Sequence, residues 1–189
     1  MSMLKQLTNE NLFVITGGPG AGKTAILEEL QRRGYACVPE AARAIIQEQV
    51  RVGGDAVPWR DTQRYASLML QKSIEDYRAH ADAERITFFD RGILDTLTHA
   101  RVNGFRLPEE AYLQAEKHRY NRVVFMAPPW PEIYATDTER KQTLDESLIV
   151  YQINADVYRE YGYDTVEIPR ATVNERADFI LKTATEALS

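Results

Sequence analysis

The chain predicts an α/β fold built on one parallel sheet of five strands, ordered 2-3-1-4-5, with helices on both faces and a short helical lid. Short apolar runs alternate with longer stretches of helical period, as expected when parallel strands are joined by helical crossovers. The first apolar run, Leu12–Thr16, leads directly into the glycine-rich stretch Gly17-Gly18-Pro19-Gly20-Ala21-Gly22-Lys23-Thr24, which opens a helix. The third run ends in Phe89-Asp90-Arg91-Gly92, placing a carboxylate where a strand gives way to a loop.

Each element follows from local signals. After the loop a helix runs from about Lys23 to Arg33, and Gly34 stops it as a left-handed terminator. Strand two is Tyr35–Val38, followed by a helix from about Glu40 to Val52 that ends at Gly53-Gly54. Asp61 caps a long helix reaching about Ala83. Strand three is Ile86–Phe89. The next helix covers Ile93–Val102 before Gly104, and Pro108 begins another. Strand four is Arg122–Met126. The prolines of Ala127-Pro128-Pro129-Trp130-Pro131 then exclude regular structure. Thr136-x-x-Glu139 reads as a capping box opening a helix to about Tyr161. Strand five is Thr165–Ile168, and Thr172-x-x-Glu175 caps a last helix reaching about Ala187. No repeat or linker divides the chain, so residues 1–189 are expected to form a single domain.

Composition narrows the class. The net charge of −5 argues against a partner held by a generally basic surface, so no nucleic acid is expected. No run approaches the ~18 apolar residues of a membrane span. The single cysteine, Cys37, excludes an internal disulfide and suggests a reducing compartment. Its flanks read as a buried strand holding an inert thiol. The first residues, Met1 to Asn11, lack the apolar core of a signal peptide. A cytoplasmic protein is expected.

The loop carries the chemistry. Gly17 to Thr24 spells G-x-x-x-x-G-K-T, the phosphate-binding loop (P-loop), whose glycines let backbone N–H groups converge on a nucleotide's phosphates. Lys23 is expected to reach the β- and γ-phosphates, and the Thr24 hydroxyl to bind Mg²⁺. The positive end of the following helix faces the same anion. ATP is the expected nucleotide, with GTP possible. Asp90, at the end of strand three, is the second expected Mg²⁺ partner. Arg91 follows it where machine-type ATPases carry a water-activating Glu, and its guanidinium stays charged and cannot act as a base. An Asp-Arg pair suits an enzyme that clamps phosphates and passes one to a bound acceptor.

Strand two ends in Val38-Pro39-Glu40-Ala41-Ala42-Arg43. In the order 2-3-1-4-5, Glu40 lies two strand spacings from the loop, roughly 10 Å at ~4.8 Å each. An acceptor hydroxyl would fill that gap, with Glu40 orienting it or taking its proton. Arg43 would hold an anionic part of the substrate, and Asp95, beyond Asp90, lines the same pocket. The lid spans approximately residues 128–143, where Arg140 is placed to bring positive charge over the γ-phosphate. His80, His99 and His118 lack metal-ligand spacing. Tyr151, Tyr158 and Tyr161 follow helical spacing and read as packing.

Taken together, these residues resemble the NadR-like AAA-domain family of P-loop ATPases and kinases over nearly the whole chain. The resemblance rests on the loop, Pro39-Glu40-Ala41-Ala42-Arg43, Phe89-Asp90-Arg91-Gly92, Pro128-Pro129-Trp130-Pro131-Glu132 and Asp137-Thr138-Glu139-Arg140. It implies a nucleotide site and, by likeness to deoxynucleoside and nucleoside-monophosphate kinases, a carboxylate near the acceptor hydroxyl at Glu40. It also implies an Asp-Arg motif at Asp90-Arg91. Arg170 is in the loop Pro169-Arg170-Ala171 after strand five, where similarity to P-loop kinases implies that the nucleotide base would pack. The lid departs from those kinases: Arg140 is followed by Lys141, Gln142 and Thr143, not by a second arginine three residues on. The expected function is transfer of the γ-phosphate of Mg·ATP to a small hydroxyl-bearing, nucleoside-like metabolite. A nucleotide-dependent binding module and a slow ATPase are the alternatives.

Overall fold

The computed structural model describes residues 6–18, 20–131 and 144–189. Two short strands, β1 (Leu7–Thr8) and β5 (His118–Arg119), pair with each other outside the main sheet. The main sheet is centred on β2 (Leu12–Gly17), every residue of which is buried. Parallel to it lie β4 (Thr87–Asp90) on one side and β6 (Val123–Ala127) on the other. Outside these run β3 (Ala36–Val38) and β7 (Asp164–Glu167), giving the order β3-β4-β2-β6-β7. Without the two short strands, this is the expected 2-3-1-4-5.

Successive side chains of a strand point to opposite faces, and here both faces are covered. Phe13, Ile15, Phe88 and Phe125 point to one side, where α1 (Lys23–Arg32) and α7 (Val173–Ala187) pack on them. Phe13 meets Phe88 and Phe125 at centroid distances of 6.0 Å each, contacts worth ~0.5–1.5 kcal/mol beyond burial. Leu12, Val14, Phe89, Val124 and Met126 point the other way, into the larger core. α4 (Ile93–Val102), α5 (Glu109–Lys117) and α6 (Leu144–Glu160) contribute to that side. α3 (Thr62–Ala79) packs on α4, and α2 (Ala41–Val52) packs on α3. Coverage of both faces explains why the central strands read as unbroken apolar runs rather than alternating ones.

Two caps appear where the sequence places them. The Asp61 side chain accepts from the Arg64 amide at 2.9 Å, and Thr172 and Glu175 exchange a reciprocal pair of bonds. Three expectations change. The long helix ends at Ala79, not Ala83, because Asn9 donates to the Ala81 and Ala83 carbonyls and draws the chain away toward β4. Strand three continues through Asp90, which pairs with Ile15. Cys37 is only half-buried, since β3 is the sheet edge. The start of the expected lid helix, Thr136 to Thr143, lies outside the described residues. No helix among the described residues is long and apolar enough to cross a membrane.

Candidate phosphate and acceptor site

The C-terminal ends of β2, β3 and β4 bring the P-loop, Glu40 and Asp90-Arg91 to one rim of the sheet. This rim is where open α/β sheets bind ligands. Gly17 sits at φ 136°, and a side chain there would put Cβ 2.2 Å from the Ala127 carbonyl oxygen. Only glycine lets β2 turn beside β6 at this point. Gly18 lies against α6, where a Cβ would come within 2.6 Å of Ser147 Oγ. Gly20 and Gly22 take the left-handed conformation at φ 73° and 74°. Gly22 caps α1 without a side chain, leaving the helix N-terminus open to an anion.

Lys23 is buried and folds back across the loop, its ammonium donating to the Gly18 carbonyl at 3.2 Å. Burial, then the Arg91 charge, pushes its pKa down to about 8, against the pull of Asp90, Glu40 and Asp95. Thr24 is exposed at the mouth of a cleft of about 410 Å³. Glu40, Asp90 and Arg43 line the same cleft, over an apolar wall of Leu27, Val38 and Pro39.

Asp90 Oδ1 is buried with no hydrogen-bond partner among the described residues. Burial raises the carboxyl's pKa, with Lys23 opposing. An orphaned carboxylate oxygen beside the Thr24 cleft fits a hard, oxygen-seeking cation such as Mg²⁺.

Arg91 links the rim. Its Nε donates to Glu40 Oε1 at 2.8 Å, and its Nη1 to the Gly17 carbonyl at 3.0 Å and to Asp95 Oδ1 at 3.2 Å. It thus spans the two-strand gap in which an acceptor hydroxyl was expected. Its backbone holds φ 70°, a conformation costly for a residue with a side chain. Burial works against its charge, but Glu40, Asp95 and Asp90 together outweigh it and raise its pKa. Burial also works against the Glu40 carboxylate. Arg91 and Lys23 overcome this and hold its pKa below the ordinary range.

Asp95 lines a small pocket with Glu40, Asp90 and Arg91, as expected, but its carboxylate is engaged by the protein rather than free for substrate. It is 5% exposed and both its oxygens are occupied. Oδ1 accepts from Thr16 Oγ1 at 2.5 Å, Asn154 Nδ2 at 2.9 Å and Arg91. Oδ2 accepts from the Gly92 amide at 2.8 Å and the Tyr158 hydroxyl at 2.7 Å. Asp95 therefore anchors Arg91 from below. Thr16, Asn154 and Tyr158 were not singled out as site residues. The available signal was Asn154, a polar residue on the same face of α6 as Tyr151 and Tyr158.

The remaining candidates are less connected. Arg43 is exposed on α2. Arg170 Nη2 donates to the Pro129 carbonyl at 3.2 Å, tying the loop after β7 to the proline-rich segment after β6. Pro19 and Arg140 lie outside the described residues, as does the expected lid beyond Pro131.

A family described as an AAA domain matches residues 12–176. The chain belongs to this AAA-domain family. Its P-loop α/β fold is shared with solved kinases of low sequence identity. A deoxyadenosine kinase from M. mycoides, solved with dCMP and dCDP, aligns with TM-score 0.66 and 14% identity, over 93% of this chain and 99% of that one. The NadR protein in complex with NR aligns with TM-score 0.64 and 17% identity, over 97% of this chain and 52% of NadR. A thymidylate kinase from Ehrlichia chaffeensis gives TM-score 0.61 and 14% identity, over 94% of this chain and all (100%) of that one. No curated protein matches in sequence.

Proposed function

We propose that this family member is a small-molecule kinase that binds Mg·ATP and transfers the γ-phosphoryl group to a hydroxyl of a nucleoside-like acceptor. The observation that carries the proposal is Arg91, which joins the P-loop carbonyl of Gly17 to Glu40 in one hydrogen-bonded span. A cation fixed between the phosphate cup and the acceptor carboxylate stabilises charge on a transferring phosphoryl group. It offers no base for activating water.

Lys23 would leave the Gly18 carbonyl for the phosphates, where an anion favours its charged form. Thr24 and Asp90 would hold Mg²⁺, which would offset the negative charge of the phosphates. The acceptor would lie in the cleft beside Thr24 and Glu40. Its oxygen forms the new bond to the γ-phosphorus, the bond to the β,γ-bridging oxygen breaks, and ADP carries away that electron pair. Glu40, ionised at neutral pH, orients the hydroxyl and accepts its proton as the new bond forms. Arg170 is the base-side residue in this reading, and Arg140 the lid cation.

The test is acceptor-dependent ADP release across a panel of nucleosides and vitamin-like alcohols, with Mg·ATP affinity measured by calorimetry. Glu40→Gln is expected to lower release by ~10²–10³-fold while ATP binding persists. If no acceptor raises turnover above the rate with water alone, the kinase reading fails. Absence of Mg·ATP and Mg·GTP binding removes the nucleotide site as well.

A further inference from the structure

Arg176, on the first turn of α7, is 2% exposed, yet no carboxylate pairs with it among the described residues. Its Nη2 donates to the Ala21 carbonyl in the P-loop at 2.8 Å. The guanidinium carbon lies 5.7 Å from the centre of the Trp130 ring, within cation–π range. Nε is buried without a partner among the described residues. A cation desolvated in this way costs stability unless something else in the molecule needs it there. Burial alone draws its pKa down.

What it holds explains the placement. A trans peptide is planar, so its C=O and N–H point in opposite directions, and no peptide among the described residues is cis. Fixing the Ala21 carbonyl outward on Arg176 therefore aims the Gly22 N–H the opposite way. That amide finds no acceptor among the described residues. Left-handed glycines flank Ala21 on both sides, at φ 73° and 74°. Glycine backbones have more freedom to rotate than others, so this peptide needs an external tether. A charged donor on the carbonyl also polarises the peptide and strengthens its N–H as a donor.

We infer that Arg176 is a positioning residue for the nucleotide: it pins the Ala21–Gly22 peptide so that the Gly22 N–H is presented to the phosphates, and Trp130 holds its guanidinium in place. The inference rests on the nucleotide-binding reading above. It adds a residue that lies more than 150 positions from the loop in sequence, since Ala21 and Arg176 are separated by 155.

The experiment compares the unaltered protein with Arg176→Met and Arg176→Lys. It measures Mg·ATP affinity by calorimetry, thermal unfolding without nucleotide, and the Gly22 amide resonance with and without Mg·ATP. Arg176→Met is expected to weaken Mg·ATP by about 10–100-fold, the loss of a charged hydrogen bond. Its free-state unfolding temperature should stay unchanged or rise, because a buried unpaired charge is gone. Arg176→Lys keeps a charged donor and should lose less than about fivefold. The Gly22 resonance should shift on binding in the unaltered protein, and less in Arg176→Met. Unchanged affinity in Arg176→Met overturns the inference, as does an Arg176→Met protein that is less stable or fails to fold. No Mg·ATP binding by the unaltered protein instead removes the functional reading beneath it.

Discussion

Replacing Asp95 with asparagine tests the claim that this carboxylate is the buried anchor of the site. The amide has two orientations. With its oxygen at the Oδ1 position, it keeps the bonds from Thr16, Asn154 and Arg91 but turns its NH₂ onto the Gly92 amide. Flipped, it keeps the Gly92 bond but sets NH₂ against the donors of Asn154 and Arg91. Either way a buried donor faces a donor, a loss of ~1–3 kcal/mol. The charge opposite Arg91 is lost as well, in a pair whose side chains are 19% and 4% exposed. Glu40 still neutralises Arg91, so this loss stays below the ~3–5 kcal/mol of a fully broken buried pair. A total of ~3 kcal/mol lowers the unfolding temperature of a domain this size by ~6–12 °C. Circular dichroism melts of the two proteins at pH 7 measure it. A shift under ~2 °C would show that Asp95 is not the anchor described.

Three further outcomes follow from the same geometry. Tyr158→Phe removes only the hydroxyl on Asp95 Oδ2. It should cost ~1–2 kcal/mol in urea unfolding, and less when Asp95→Asn is already present, since the two share one network. Gly17→Ala forces a Cβ to 2.2 Å from the Ala127 carbonyl at φ 136°; a loss of at least ~3 kcal/mol in the same assay is expected, and near-normal stability would contradict the packing of β2 on β6. The Cys37 thiol is pushed up to about 12 by burial and then by the Asp90 charge. The thiolate is the reactive form but a more basic thiolate attacks faster, so labelling with a disulfide reagent at pH 8 should run about 50–100-fold slower than an ordinary thiol. It should accelerate about tenfold per pH unit toward pH 12 while the fold persists. Labelling at the rate of a free thiol at pH 8 would refute this.

Much of the main sheet was legible because its rules are local. β2, β4 and β6 announce themselves as apolar runs, since a strand covered on both faces has no polar side to show. Asp61 and Thr172-x-x-Glu175 cap helices through bonds that reach only three residues. Helix ends and edge strands were less legible because distant partners decide them. Asn9 captures the carbonyls of Ala81 and Ala83 and ends α3 early, and nothing within residues 79–83 signals that.

At the site the division is sharper. The sequence by itself determined the phosphate loop, the carboxylate at the end of β4 and the arginine after it. Backbone amides, one lysine and one hydroxyl at fixed spacing are a contiguous device, and its chemistry is written into consecutive residues. Only the tertiary structure decided that Asp95 turns inward and that Arg91 bridges Gly17 and Glu40. It also decided that Asn154, Tyr158 and Arg176 come from α6 and α7 to hold these parts. The physical reason is that a buried polar atom must find a partner wherever the fold supplies one. For these contacts the partners lie 51 to 155 residues away along the chain, beyond the reach of any local pattern.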